Sequence, residues 1–447
     1  MPFRGVRYAQ DRVSGLAEVT SPPYDVIFRD KEDQLMAADP HNVVRLILPR
    51  PVPGRPGEEY HDAAVSLRQW QDEHILVTDP APALYLYEQS AAPGPEAGWV
   101  QRGLIGAIRL VAPDAGIVLP HEDVSPGPVA GRLALMEATQ ANLEPIFLLY
   151  DGHSGTVADG ATPDPRDGAV GATARIIAEI AGSCEGASPR QPLISTRTSD
   201  GLAHTLWAIT DPGELAAIDA DLGPRQALIA DGHHRYAAYR KLQARRRQAG
   251  DGPGPWDYGL ALLVDSASYP PRIGSIHRVI PGLDVQHAAK LAASAFTVRA
   301  LPGGLPNLDA AVNALAEARP PGPAFVLADE KSAYLISQPD PAQAAAAMPS
   351  GRSAEWRALP AAVLQELLIT KLWDLTDDDD TVRVVHHDAE AAVRSAQSAG
   401  GTAVLCSPMT PSEVYAVAAR GEKVPRKSTS FAPKPRTGLV LRSFAQG

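Results

Sequence analysis

Ile229-Ala230-Asp231-Gly232-His233-His234-Arg235-Tyr236 is the stretch around which the chain is organised. The apolar run Ala227–Ala230 before it predicts a buried strand. Asp231-Gly232 predicts a tight turn, because glycine tolerates positive φ and lets backbone approach a ligand closely. Tyr236–Ala244 is rich in helix formers, so the two histidines and Arg235 fall where a strand yields to a helix N-terminus. Backbone N–H groups and the positive helix end favour an anion there. Arginine adds a bidentate fork suited to phosphate or carboxylate, and histidine can donate to phosphate, move a proton or bind a metal. Taken alone, the same residues also describe an ordinary strand–turn–helix junction with a solvated basic cap.

The chain has 447 residues, too many for one ordinary core, so two or three domains or subdomains are expected. With 45% hydrophobic and 21% charged residues the composition is that of a soluble globular protein. Acids outnumber Lys and Arg by 52 to 41 and the net charge is −11, which argues against nucleic acid as the main partner. Cys184 and Cys406 make neither a disulfide framework nor a CxxC pair. The N-terminus has no apolar signal region and no stretch approaches a membrane span, so a cytoplasmic protein without a membrane partner is expected.

Working outward, strands are expected at Pro2–Tyr8, His41–Leu48, Ala83–Glu88, Trp99–Leu110, Pro145–Tyr150, Tyr258–Val264, Ile276–Ile280 and Thr402–Cys406. Hairpins are expected near 194–210 and 324–337. Helices are expected over Tyr60–Glu73, where Ala63, Ala64, Leu67 and Trp70 share a face, over Gly131–Asn142 and near 171–182. Residues 151–170 read as an exposed loop, Arg245–Arg247 as a solvated helix end, and Asp377–Asp380 as a loop. The expected organisation is a core over 1–284, an Ala-rich α/β lobe over 285–400, and a strand with a basic tail over 401–447 closing on the core. That tail, Val424–Val440, carries four cations and no acid.

Three clusters could carry chemistry. The first is Asp231, Gly232, His233, His234 and Arg235. The second is His121-Glu122, with Asp123; Glu122 is a candidate general base or Mg²⁺ ligand. Neighbours on an extended strand point opposite ways, so one of His121 and Glu122 is expected to face a given site. The third is the tail, where Lys427, Ser428, Thr429 and Lys434 could close over a polyphosphate. Ser21-Pro22-Pro23-Tyr24-Asp25 forms a rigid turn that fixes Tyr24 and Asp25. There is no GxxxxGK[ST], no GxGxxG after a strand, no HExxH and no GxSxG, so a nucleotide would be held by an uncommon scaffold.

Six segments together resemble the DUF1015 family: Pro2–Gly5, Pro22–Ile27, Asn42–Leu46, Leu119–Glu122, Ala230–Tyr236 and Pro425–Leu439. They span essentially the whole chain. The Asp-Gly-His-His-Arg segment is similar to the phosphate-binding signature of ParB/sulfiredoxin-type domains, a superfamily that includes free-serine kinases, ParB nucleotide switches and sulfiredoxin. The resemblance implies an α+β fold with a ParB/sulfiredoxin-like mixed core. It implies ATP, ADP or another nucleotide with Mg²⁺, and a small hydroxy amino acid as phosphoryl acceptor, L-serine giving O-phospho-L-serine. Asp231, Gly232, His233, His234, Arg235, Lys427, Ser428, Thr429 and Lys434 would hold the nucleotide. Glu122 or Asp25 would be the base, with His233 and His234 catalytic and Glu122 on the metal. Tyr24, His121 and Arg45 would meet the acceptor.

The sequence departs from the family pattern at Asp123-Val124, Gly131, Arg426 and Ala432, so the acceptor can differ from free serine. A nucleotide-binding switch without small-molecule phosphorylation is the alternative, and a homodimer is compatible with either reading. A sulfiredoxin-like repair enzyme is disfavoured, because no cysteine lies in the motif.

Overall fold

The computed structural model describes residues 1–91, 99–152, 171–183, 189–319, 322–378 and 380–446. Cys184, Asp379 and nearly all of the expected loop 151–170 lie outside them. The fold is α+β and divides into two compact units. The first comprises Met1–Leu119, Val124–Pro271 and Pro433–Gly447, and the second Pro120–Asp123 and Arg272–Ala432. The chain thus changes unit at 119/120, 123/124, 271/272 and 432/433. Among the described residues no helix is long and apolar enough to cross a membrane.

The first unit is built on an eight-stranded mixed sheet. Its order is Val118–Leu119, Ala227–Asp231, Ile146–Tyr150, Tyr258–Asp265, Val100–Arg109, Leu84–Ala91, Leu202–Ile209, Ile194–Arg197. Two neighbour pairs are parallel, Ala227–Asp231 with Val118–Leu119 and Tyr258–Asp265 with Ile146–Tyr150. The near-continuous apolar character of the central strands follows from burial on both faces. On one face, Ile146, Leu148, Ile229 and Ala261 pack under Tyr236, Tyr239 and Leu242 of the helix His233–Gln248. Leu84, Leu86, Leu104 and Trp207 pack under the helices Ala172–Ile180 and Pro212–Leu222.

The chain ends are zipped together along this unit. Ser21 and Thr437 exchange backbone hydrogen bonds of 3.1 and 2.9 Å, and Val6 and Leu441 two of 2.9 Å. Buried Arg436 donates through Nε to Thr20 Oγ1 at 2.8 Å. Lys434 stands between Pro433 and Pro435, whose rings fix φ and hold the preceding residues extended, so its place is set by the zipper.

Most expected elements form, with three informative differences. The strand expected at His41–Leu48 is instead a helical turn, Val44–Ile47. Asn42 starts it by accepting from Val44 N at 2.9 Å, a local side-chain turn that competes with extension. The helix expected from Gly131 begins at Pro126, because proline is tolerated in a first helical turn. The segment Val363–Leu372, for which no element was expected, is a π-helix.

The second unit holds a six-stranded antiparallel sheet ordered Thr297–Leu301, Ala333–Ser337, Ala324–Ala328, Thr402–Cys406, Ile276–Ile280, Arg383–His386. Its strands alternate between two cores: Phe325, Leu327, Val404 and Cys406 face Leu367 and Ile369, while Val326, Ala403 and Leu405 face Leu315 and Val393. The period of two gives helices on both sides of the sheet.

Candidate functional site

Strand Ala227–Asp231 does not run straight into its turn. Ile229 pairs with Leu148, but Asp231 pairs with Phe147, so Ala230 is an extra residue that shifts the register. By strict alternation Asp231 would share the helix-covered face with Ala227 and Ile229. The bulge reverses the phase and turns Asp231 to the face beneath the C-terminal tail. Gly232 follows at φ 94° and opens the 16-residue helix His233–Gln248 with no side-chain cap. A Cβ on Gly232 would lie 3.0 Å from Ile146 Cγ2 and 3.1 Å from Arg235 Nε, so both conformation and space require glycine.

Arg235, one helical turn after Asp231, folds back under the turn. It donates through Nη2 to Asp231 Oδ2 at 2.5 Å and through Nη1 to the Pro145 carbonyl at 2.6 Å, while its buried Nε has no hydrogen-bond partner among the described residues. Lys434 Nζ lies 2.5 Å from Asp231 Oδ1 and donates to Asp25 Oδ2 at 3.1 Å. Its carbonyl accepts from Gln89 at 3.1 Å. Burial would raise the Asp25 carboxyl, but Lys434 and Arg235 outweigh it and hold Asp25 below its ordinary range. Asp231 is pushed up, by burial first and then by Asp25, against the pull of Lys434 and Arg235. Lys434 is held above its ordinary value because the two carboxylates outweigh its burial.

Beneath this pair is buried Glu144, which accepts from Tyr24 N at 3.0 Å and lies 3.6 Å from Arg132. Burial pushes Glu144 up, opposed by Arg235 and Arg132. The Arg132 guanidinium stacks 4.2 Å from the centre of the Tyr24 ring, and Arg235 lies 5.9 Å from it. Three carboxyls and three cations thus surround the Tyr24-Asp25 turn. Glu144 and Arg132 were not among the residues expected for the site. The readable signal for Glu144 was a carboxylate set in an apolar run, Leu143-Glu144-Pro145-Ile146-Phe147.

His234 accepts from Ser125 N at 3.1 Å through Nε2. Burial, aided by Arg235, holds its pKa below the ordinary value, so it is neutral with the proton on Nδ1. His233 is buried at the first helical position. Arg45 donates to the Met36 carbonyl at 2.7 Å, and that bond serves the local helices rather than the cluster.

The remaining expected residues belong to the second unit. There Thr429 Oγ1 donates to Glu122 Oε1 at 2.5 Å and lies 2.9 Å from His121 Nε2. Both His121 and Glu122 therefore reach one hydroxyl, contrary to the expected alternation, because the chain bends at Glu122 instead of continuing as a strand. Fully buried His121 also packs edge-on to Phe431. Lys427 takes φ 52°, and buried Arg278 donates to its carbonyl at 3.0 Å. The buried Ser428 hydroxyl donates to the Pro425 carbonyl, so it serves to hold this loop. As a donor for Mg²⁺, Glu122 fits: its carboxylate is 34% exposed and supplies hard oxygen, and Mg²⁺ commonly takes one or two carboxylates beside substrate phosphates.

Comparison with solved structures finds a free serine kinase mutant in complex with ADP, similar over 73% of this chain and 87% of its own at 14% identity and TM-score 0.34. A conserved hypothetical protein from Pyrococcus furiosus is similar over 74% and 91%, at 14% identity and TM-score 0.33. SbnI with C-terminal truncation from Staphylococcus aureus is similar over 74% and 84%, at 10% identity and TM-score 0.33. Likeness at this level carries no argument about chemistry. No curated protein matches the chain. The family model described as a protein of unknown function, DUF1015, matches residues 1–164 and 167–363, and the chain belongs to that family.

Proposed function

We propose that the protein is a small-molecule kinase that moves a phosphoryl group from a nucleotide to the hydroxyl of free L-serine or a related hydroxy amino acid. The observation that carries this reading is the Lys434 ammonium held between Asp231 and Asp25 at the opening of the helix His233–Gln248. Phosphoryl transfer asks the protein mainly for positioning and for cationic charge near the moving group. Lys434, Arg235 and the uncapped helix end supply that charge. The Nδ1–H of His234 supplies a neutral donor for a phosphate oxygen.

Asp25 is ionised at neutral pH because Lys434 and Arg235 hold it low, which suits it to orient an acceptor hydroxyl and receive its proton late in transfer. Asp231 fixes Lys434 and Arg235, Glu144 holds the Tyr24 backbone beside Arg132, and Tyr24 lies beside the acceptor. Mg²⁺, when bound, neutralises charge on the nucleotide phosphates, and Glu122 is the residue proposed to hold it. For Glu122, Lys427 and Thr429 the proposal rests on the sequence motif and on their own surroundings.

The test is a product assay with purified protein, Mg²⁺ and ATP, ADP or CTP against a panel of hydroxy amino acids, read by ³¹P NMR and mass spectrometry. A phosphorylated amino acid that Asp25→Asn abolishes while nucleotide still binds is the expected result. Nucleotide binding with no phosphorylated product from any acceptor overturns the kinase reading.

A further inference from the structure

The zipper sets the course of the tail, but Lys434 lies three residues before Thr437, where the pairing with Ser21 ends it. Its neighbours Pro433 and Pro435 have no N–H to give. The Lys434 carbonyl is therefore the handle by which the sheet can fix this segment, and Gln89 takes it. Leu84 and Leu86 pack under the helices Ala172–Ile180 and Pro212–Leu222. By alternation Tyr87 and Gln89 point to the other face, beneath the tail. Gln101 stands directly across the ladder from Gln89 and gives it no support. Its buried amide has no hydrogen-bond partner among the described residues, and neither has Gln89 Oε1.

The direction of every hydrogen bond around Gln89 is fixed. A carbonyl can only accept, so the amide must turn Nε2 toward Lys434 O, at 3.1 Å. Nε2 gives its second hydrogen to the Tyr87 hydroxyl at 2.7 Å, which also accepts from Arg436 N at 3.3 Å. With both lone pairs taken, the hydroxyl has one proton to donate, and His204 Nδ1 lies 2.8 Å away to accept it. His204 then carries its proton on Nε2 and donates to Thr198 Oγ1 at 3.0 Å. Thr198 donates its own hydrogen to the Asp200 carboxylate at the surface. Burial, aided by Arg436, brings the pKa of His204 down to about 4, so the ring is neutral at neutral pH. We propose that Gln89 is a positioning residue for Lys434, held in its orientation by the chain through Tyr87 and His204 to Asp200. For its effect on turnover the proposal rests on the kinase reading, and for the place of the Lys434 ammonium it does not.

The Asp25 carboxyl, which Lys434 holds low, reports where the ammonium is. Its titration midpoint is read by ¹³C NMR on the full-length protein, assigned by comparison with Asp25→Asn. Gln89→Met keeps the stem and removes the donors, and should raise the midpoint toward that of Lys434→Met. In the Lys434→Met background it should add nothing further, whereas a general loosening of the fold would still add. Tyr87→Phe, which removes one oxygen, should also raise the midpoint and guards against a misfolded Gln89 variant. His204→Phe should do the same, while His204→Asn, whose Oδ1 can accept the Tyr87 proton, should keep the native midpoint. With turnover as the readout, Gln89→Met should lower kcat by up to about 100-fold, the loss expected for a misplaced group. A native midpoint in Gln89→Met and Tyr87→Phe overturns the proposal. So does a shift undiminished in the Lys434→Met background, or His204→Asn behaving as His204→Phe. The expected midpoint shifts in a protein without kinase activity would overturn the kinase reading alone.

Discussion

Replacing Lys434 with Met keeps most of the side-chain stem and removes the ammonium that joins Asp231 to Asp25. The side chains of Lys434, Asp231 and Asp25 are 21%, 10% and 32% exposed, so the pair is neither a surface bridge nor fully buried. Breaking a buried pair costs about 3–5 kcal/mol and a surface pair under about 1 kcal/mol, which puts this loss at roughly 2–3 kcal/mol. At about 2–4 °C per kcal/mol for a unit of this size, the melting transition of the first unit should fall by roughly 4–12 °C.

The pH dependence gives a sharper criterion. In the native protein Asp25 is held low, so its contribution is present above its unfolded pKa and is lost as pH falls through the lower folded value. Without Lys434 both carboxyls rise, Asp231 further than it already has, and two uncompensated negative charges oppose folding at neutral pH. Acidification protonates them. The difference in melting temperature between variant and native protein should therefore be largest near about pH 8 and shrink toward about pH 4.5. Paired thermal and urea unfolding across that range measures it. A penalty below about 1 kcal/mol, or one that does not change with pH, would refute the bridge.

Gly232→Ala should lose about 1–2 kcal/mol in urea unfolding from the left-handed backbone alone, and should weaken nucleotide binding as the new Cβ displaces Arg235; unchanged stability would contradict the geometry. ¹⁵N-detected NMR should show His234 neutral at neutral pH, with its proton on Nδ1 and a titration midpoint below the ordinary histidine value; an imidazolium there would contradict the Ser125 hydrogen bond. The buried Cys406 thiol, pushed up to about 11, should resist alkylation in the native protein and label only on unfolding, as peptide mapping would reveal.

What could be read from the sequence divides along physical lines. The strand, the glycine turn and the basic helix start at Ala227–Tyr236 were legible because each rests on local rules. Turn chemistry gives Gly232, apolar runs give the strand, and helix propensity gives the rest. The Lys434 bridge was half legible: a cation between two prolines marks a fixed position, but nothing local says that its partners are Asp25 and Asp231. Glu144 and Arg132 act through tertiary packing around Tyr24, and adjacency in sequence does not show that. The helical turn at Val44–Ile47 was misread because its apolar residues fit a strand, and the side chain of Asn42 decided otherwise. The His121-Glu122 alternation failed for a related reason, since the rule presumes an extended strand and the chain bends there.

The extra residue at Ala230 makes pairing register a functional quantity. Paired without its bulge, the same strand would carry the Asp231 carboxylate into hydrocarbon between Ile146 and Tyr236, stranding Lys434 without its closest partner. Substitutions at position 230 alter only a small side chain. The pairing register, rather than the identity of residue 230, therefore decides which side of the sheet holds the carboxylate, so the protein should tolerate many residues at this point as long as the bulge forms.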